Sequence, residues 1–135
     1  MDLELFLRKD SLEGEEVEYP ASSAFMDEDG NVISWRIRRL SVDEVEELRK
    51  SCIVMDSAYG ACFNSMLFNR RLAAMSVIEP NLNSALLQDS YGVKKPEELI
   101  TKLFATIGEY DDFIRYIAGL NGFALVGEQV DEAKN

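Results

Sequence analysis

The rhythm of apolar positions changes several times along this chain, and each change marks an element. "ASSAFM" and "VISWRIRRL" flank the turn-rich "DEDGN", which predicts a β-hairpin over residues 21–40. In the second strand Ile33, Trp35 and Ile37 alternate with Val32, Ser34, Arg36 and Arg38. The first set is expected to face a core and the arginines to face outward. At "SVDEVEELRKSC" the period becomes helical. Ser41 and Glu44 have capping-box spacing, and Asp43, Glu44, Glu46 and Glu47 precede Arg49 and Lys50 as the helix dipole favours. Val42, Val45 and Leu48, with Cys52, make the apolar face.

In the next stretch, "IVMDSAYGACF", Ile53 to Met55 fit either a short strand or a continued helix, and Gly60 marks a break. "FNSMLFNRRLAAMSVI" predicts a helix with a stripe of Phe63, Leu67, Ala74 and Ile78, broadened by Met66, Met75 and Val77 and stopped by Pro80. Three shorter helices follow. Asn83 is positioned to cap "SALLQDSY", and Gly92 ends it. Pro96 suits the first turn of "PEELITKLFATI", where Leu99, Leu103 and Ile107 recur every fourth residue beside Ile100 and Phe104. Gly108 is expected to separate this helix from "EYDDFIRYIAGLN", whose stripe is Tyr110, Phe113, Ile114, Ile117 and Leu120 before Gly122. The pattern predicts a small, mainly α-helical α+β domain with an N-terminal β-hairpin and about four to five helices. Residues 1–19 read as an acidic N-terminal arm, 20–125 as the globular domain with helices within 41–121, and 126–135 as a C-terminal tail. The arm opens on an apolar cluster, "LELFL", which could dock on a partner, on a second copy or on its own core.

Composition narrows the function. A chain of 135 residues with 47% hydrophobic positions can form one core without metal or disulfide support. The net charge of −11 is uneven. Residues 1–31 hold ten acids against Arg8 and Lys9, which is −8, while the remaining fifteen acids and twelve bases give −3. Such an amino end repels nucleic acid and acidic membranes and suits solubility or a basic protein partner. The start is acidic where a secretory signal is basic, and no apolar run reaches the roughly 20 residues that span a bilayer, so a cytoplasmic protein is expected. Cys52 and Cys62 are then expected to be free thiols.

Candidate chemistry is sparse. The sequence has no histidine, which removes the commonest general base and metal ligand. "DEDGN" alternates like a calcium loop, but Val32 stands where the loop needs glycine and Arg38 where it needs glutamate. Asp111–Asp112 and Glu97–Glu98 are adjacent on helices and point about 100° apart, a poor geometry for acid/base couples. Cys62 has no histidine to activate it. Trp35 among Arg36, Arg38 and Arg39 is a weak nucleic-acid footprint beside so many acids. No enzyme, metal or cofactor is expected. Met26, Met55, Met66 and Met75 fit a core or a lining, and methionine also suits surfaces that meet varied partners.

Three stretches nevertheless share a pattern: "FMDEDGNVISWRIRRLSVDEVEELRKSC", "PNLNSALLQDSYGVKKPEELITKLFATIGEY" and "LNGF" with a "DEAKN" end. In this order they resemble the XkdN-like tail assembly chaperones of myophages and PBSX-type defective prophages of Gram-positive bacteria. The similarity covers most of the chain and is weakest over residues 53–72, where "IVMDSAYGACFNSMLFNRR" replaces a more polar segment. The resemblance implies a small, mainly helical, non-enzymatic protein. It implies binding to the tape measure protein, a long and aggregation-prone helical chain, before tail tube subunits polymerise around it, and absence from the mature virion. Other implied partners are the tail tube protein and a frameshifted longer form of the chain, while the apolar cluster of the arm makes a homo-oligomer feasible. Ala133-Lys134-Asn135 can be encoded by GCA-AAA-AAC, which holds a slippery heptamer. Within the atypical segment, Met55, Tyr59, Phe63, Met66 and Phe68 form either a protein-binding surface or part of the core. A structural adaptor or connector retained in the virion is the alternative function, and an acidic DNA mimic is a third.

Overall fold

The computed structural model describes residues 1–9 and 14–123. Among these, five strands and five α-helices follow in the order β1 (Glu16–Tyr19), β2 (Trp35–Arg38), α1 (Val42–Ser51), β3 (Ile53–Asp56), β4 (Gly60–Phe63), α2 (Ser65–Ser76), β5 (Val77–Glu79), α3 (Ala85–Ser90), α4 (Pro96–Ile100) and α5 (Ile107–Leu120). The mainly helical α+β class expected from the pattern is what forms.

Strand β2 is the middle of a three-stranded antiparallel sheet, with β1 on one side and β5 on the other. Its alternation does what the sequence suggests. Trp35 and Ile37 are buried, while Arg36 points to water and pairs with Glu16 of β1 and Glu79 of β5. The buried face receives α5, whose Phe113, Ile114 and Ile117 form its inner stripe. Phe113 is the hub: its ring lies 5.6 Å from Trp35, 5.3 Å from Phe104 and 5.9 Å from Tyr19. Leu72 and Ala73 of α2, Leu99 and Ile100 of α4, and Val45 and Leu48 of α1 complete the core.

Local signals worked where side chain and backbone meet within one turn. Ser41 and Glu44 form the capping box, Pro96 opens α4, and Gly92 and Gly122 take the positive φ angles (67° and 76°) that end their helices. Elsewhere the structure corrects the expectation. The strand opposite β2 lies at Glu16–Tyr19, upstream of "ASSAFM", because acidic side chains there pair with β2's arginines. Residues 21–31 form a turn, with one bridge between Met26 and Val32, and Ile33 is left exposed. Phe63 belongs to β4 and Val77 to β5, so the buried face of α2 is Phe68, Leu72, Ala73 and Ser76 rather than the stripe counted from Phe63. Ser84, not Asn83, caps α3. Helix α4 ends at Ile100, and Gly108 lies inside α5, whose cap is Thr106. Residues 10–13 of the expected arm and everything from 124, including the possible frameshift end, lie outside the described residues.

Two long-range polar clasps fix the ends of α5. The Ser23 N–H donates to Glu109 Oε2 at 2.9 Å, which holds that carboxyl below its usual range. At the other end the Leu40 N–H donates to Asn121 Oδ1 at 2.8 Å, while Asn121 Nδ2 donates to the Ile117 carbonyl at 2.9 Å.

Candidate protein-binding surface

The segment the sequence left ambiguous is a second β-hairpin. β3 and β4 pair antiparallel, with Ile53 opposite Phe63, Val54 opposite Cys62, Met55 opposite Ala61 and Asp56 opposite Gly60. The turn is built by Asp56, whose Oδ1 accepts the N–H groups of Ala58 (2.7 Å) and Tyr59 (3.0 Å), and by Gly60 at φ 76°. Only glycine takes that φ without strain.

The base of the hairpin is pinned and its body is not. Cys52 is fully buried, its carbonyl accepts the Asn64 N–H at 2.8 Å, and Asn64 caps α2. Arg71 ties the same corner down: Nη1 donates to the Ser51 carbonyl at 2.8 Å, and Nε pairs with Glu97 at 2.9 Å. Hydrogen bonding to Glu97 raises the Arg71 pKa, so this link stays ionic. Beyond that corner all four residues of β3 are exposed.

Opposed residues in an antiparallel pair share a face. Ile53, Met55, Ala61 and Phe63 therefore lie together, and Tyr59 at the turn and Met66 on α2 are also exposed. Met55 is 80% exposed, Tyr59 84% and Met66 72%. Phe63 is half-exposed and meets Phe68 edge-on at 5.4 Å. Phe68 is buried, so of the five residues singled out in the sequence it underlies the surface and the other four reach solvent. Ile53 and Ala61 were not singled out. The alternation of Ile53/Met55 and Ala61/Phe63 about Asp56 and Gly60 is the signal that marks them.

The other candidates are occupied structurally. Arg38 makes a two-bond pair with Glu44, and Arg39 pairs with Glu15, so the arginines of β2 and its end meet carboxylates. Asp27 Oδ1 accepts the Asp29 and Asn31 N–H groups at 2.9 Å each, closing the "DEDGN" turn. Glu97 serves Arg71 and Asp112 serves Arg115. Cys52 and Cys62 are free thiols. Among the described residues no group of three or more Cys, Asp or Glu is arranged to hold a metal, and no helix is long and apolar enough to cross a membrane.

An antiparallel sheet ordinarily buries one face, and a lone two-stranded hairpin is marginal in water. A rigidly based hairpin that leaves methionine, tyrosine and isoleucine side chains in solvent has the character of a contact surface.

Known proteins share this architecture. Residues 3–134 match the family model described as phage XkdN-like tail assembly chaperone protein. The chain is 30% identical to phage-like element PBSX protein XkdN of Bacillus subtilis (strain 168), over 99% of this chain and 94% of that one. It is 28% identical to the uncharacterized protein YqbN of the same organism, over 98% of this chain and 91% of the other. The crystal structure of YqbN superposes with a TM-score of 0.75 at 27% identity, covering 92% of this chain and 98% of that one.

Proposed function

We propose, from the premise that this chain belongs to the phage XkdN-like tail assembly chaperone family, that it binds the tape measure protein and keeps it soluble until the tail tube forms. The observation that carries this reading is the β3–β4 hairpin, whose base is fixed and whose apolar side chains Ile53, Met55 and Tyr59 are exposed. A long helical client exposes an apolar stripe that water does not tolerate. Methionine side chains adapt to a stripe of varied sequence, and many modest contacts in series hold while staying reversible. The same reading makes the chain a binding protein rather than an enzyme, acting in the host cytoplasm and left out of the finished virion.

Co-expression with the long, helix-rich product of a neighbouring gene tests it. The client is expected to become soluble and to co-purify with this chain. Met55→Ser, Tyr59→Ser and Met66→Ser are expected to leave the fold intact and each to weaken capture about tenfold, the effect of removing one anchor worth roughly 1–2 kcal/mol. Full capture by a correctly folded triple variant overturns the assignment of this surface. Recovery of the chain from purified particles by mass spectrometry points instead to a connector that stays in the tail.

A further inference from the structure

Two other solvent-facing features have complementary chemistry. The first is the amino-terminal segment. Leu3–Phe6 form one 3-10 turn, capped by Asp2, whose carboxylate accepts the Glu4 N–H at 2.9 Å. Leu3, Leu5, Phe6 and Leu7 are each at least 64% exposed, and none of them joins the core among the described residues. In a 3-10 turn Leu3 and Phe6, at i and i+3, eclipse on one face, and Leu7 follows in extended backbone.

The second is a cleft of about 670 Å³ between the start of α2 and the α4–α5 junction, within the roughly 300–1,000 Å³ of ligand-sized clefts. Phe104, Tyr110 and Ile114 line it, Ile107 stands on it 73% exposed, and Arg70 forms part of its wall. Arg70 differs from its neighbours. Arg36, Arg38, Arg71 and Arg115 hold carboxylates, and Arg49 lies 6.0 Å over the Phe123 ring. Arg70 has no carboxylate partner among the described residues, and its Nε is buried without an acceptor. Burial raises the Tyr110 pKa, so its hydroxyl remains a neutral donor beside Arg70. Asp111 and Arg115 also line the cleft, and Arg115 pairs with Asp112, so Arg70 is the arginine of this mixed cleft with no carboxylate partner among the described residues, which suits an acid supplied from outside.

We infer that this cleft receives the Met1–Leu7 segment of a second copy of the chain, with Leu3 and Phe6 against Phe104, Tyr110 and Ile114 and the Glu4 carboxylate against the Arg70 guanidinium. Residues 8–15 separate that segment from β1. Segment and cleft are different surfaces, so the contact is head-to-tail and propagates from copy to copy. The β3–β4 hairpin takes no part in it. Met66 borders this cleft as well as the hairpin surface, so Met55→Ser and Tyr59→Ser, which lie outside the cleft, are the variants that separate failure of this contact from failure of the client-binding reading.

Sedimentation of the full chain from micromolar to submillimolar concentration tests the inference. The mass is expected to rise with concentration. Leu3→Ser combined with Phe6→Ser should keep the chain monomeric with an unchanged circular dichroism spectrum. Arg70→Glu and Ile107→Asp should each weaken association at least about tenfold, and Glu4→Arg placed with Arg70→Glu should restore it. Ile107 is exposed, so its variant decides the matter if Arg70→Glu fails to fold. A wild-type chain that stays monomeric throughout overturns the proposal. So does undiminished association by the double serine variant or by folded Ile107→Asp, or a charge swap that does not recover what Arg70→Glu lost.

Discussion

Replacing Glu44 with Gln is expected to cost about 1–2 kcal/mol of stability at pH 7, and the loss should vanish in acid. Arg38 Nη1 donates to Glu44 Oε1 at 3.0 Å and Nη2 to Oε2 at 2.7 Å, and Oε1 also accepts the Ser41 N–H at 3.0 Å. The Arg38 hydrogen bonds, foremost, and those from Ser41 hold the Glu44 pKa at about 2, against an ordinary 4.5. At 1.36 kcal/mol per pKa unit that difference converts to about 3 kcal/mol. The two side chains are 31% and 35% exposed, however, and solvent screening brings the figure down to about 1–2 kcal/mol. The folded pKa lies below the unfolded one, so the contribution is complete above pH 4.5 and disappears as pH falls through about 2. Urea unfolding of both proteins from pH 7 to pH 2 measures it. The gap should be constant down to about pH 5 and close progressively below, and Arg38→Met should remove most of the effect of the Gln substitution. A gap that ignores pH, or widens toward pH 2, refutes the reasoning.

Two further substitutions probe the core and its clasp. Phe113→Ala should destabilise by roughly 3–5 kcal/mol, because the ring is fully buried among Trp35, Phe104 and Tyr19 and leaves a cavity; denaturant unfolding reads this directly. Asn121→Ala should cost about 1–3 kcal/mol by orphaning the Leu40 N–H, and hydrogen exchange should show that amide losing protection ahead of those in β2.

What could be read in the sequence depended on how local its cause was. The capping box at Ser41 and Glu44, the proline start of α4 and the stripe Phe113, Ile114, Ile117 are settled within one or two helical turns. Strand β1 was hidden because "EEVEY" is acidic and looks like a solvated arm; the arginines that make it a strand come twenty residues later. The division between α4 and α5 was masked by Leu99, Leu103 and Ile107, which keep helical spacing across a turn. Thr106 and Glu109 have the Thr-x-x-Glu spacing that marks a start. The hairpin surface was half legible. Met55, Tyr59, Phe63 and Met66 were identified as a group, but strand or helix could not be chosen for β3, and the burial of Phe68 follows from the phase of α2, which starts only after Asn64.

Strand β4 passes into α2 through the single residue Asn64, and α2 passes into β5 with no residue between. From Gly60 to Glu79 the backbone thus runs through strand, helix and strand with a single intervening residue, about 18 Å of it helix, and joins the central sheet where Val77 pairs with Ile37. The hairpin is therefore joined to the central sheet through α2, with no loop between them. The exposed hairpin and the central sheet are thus successive parts of one run of backbone.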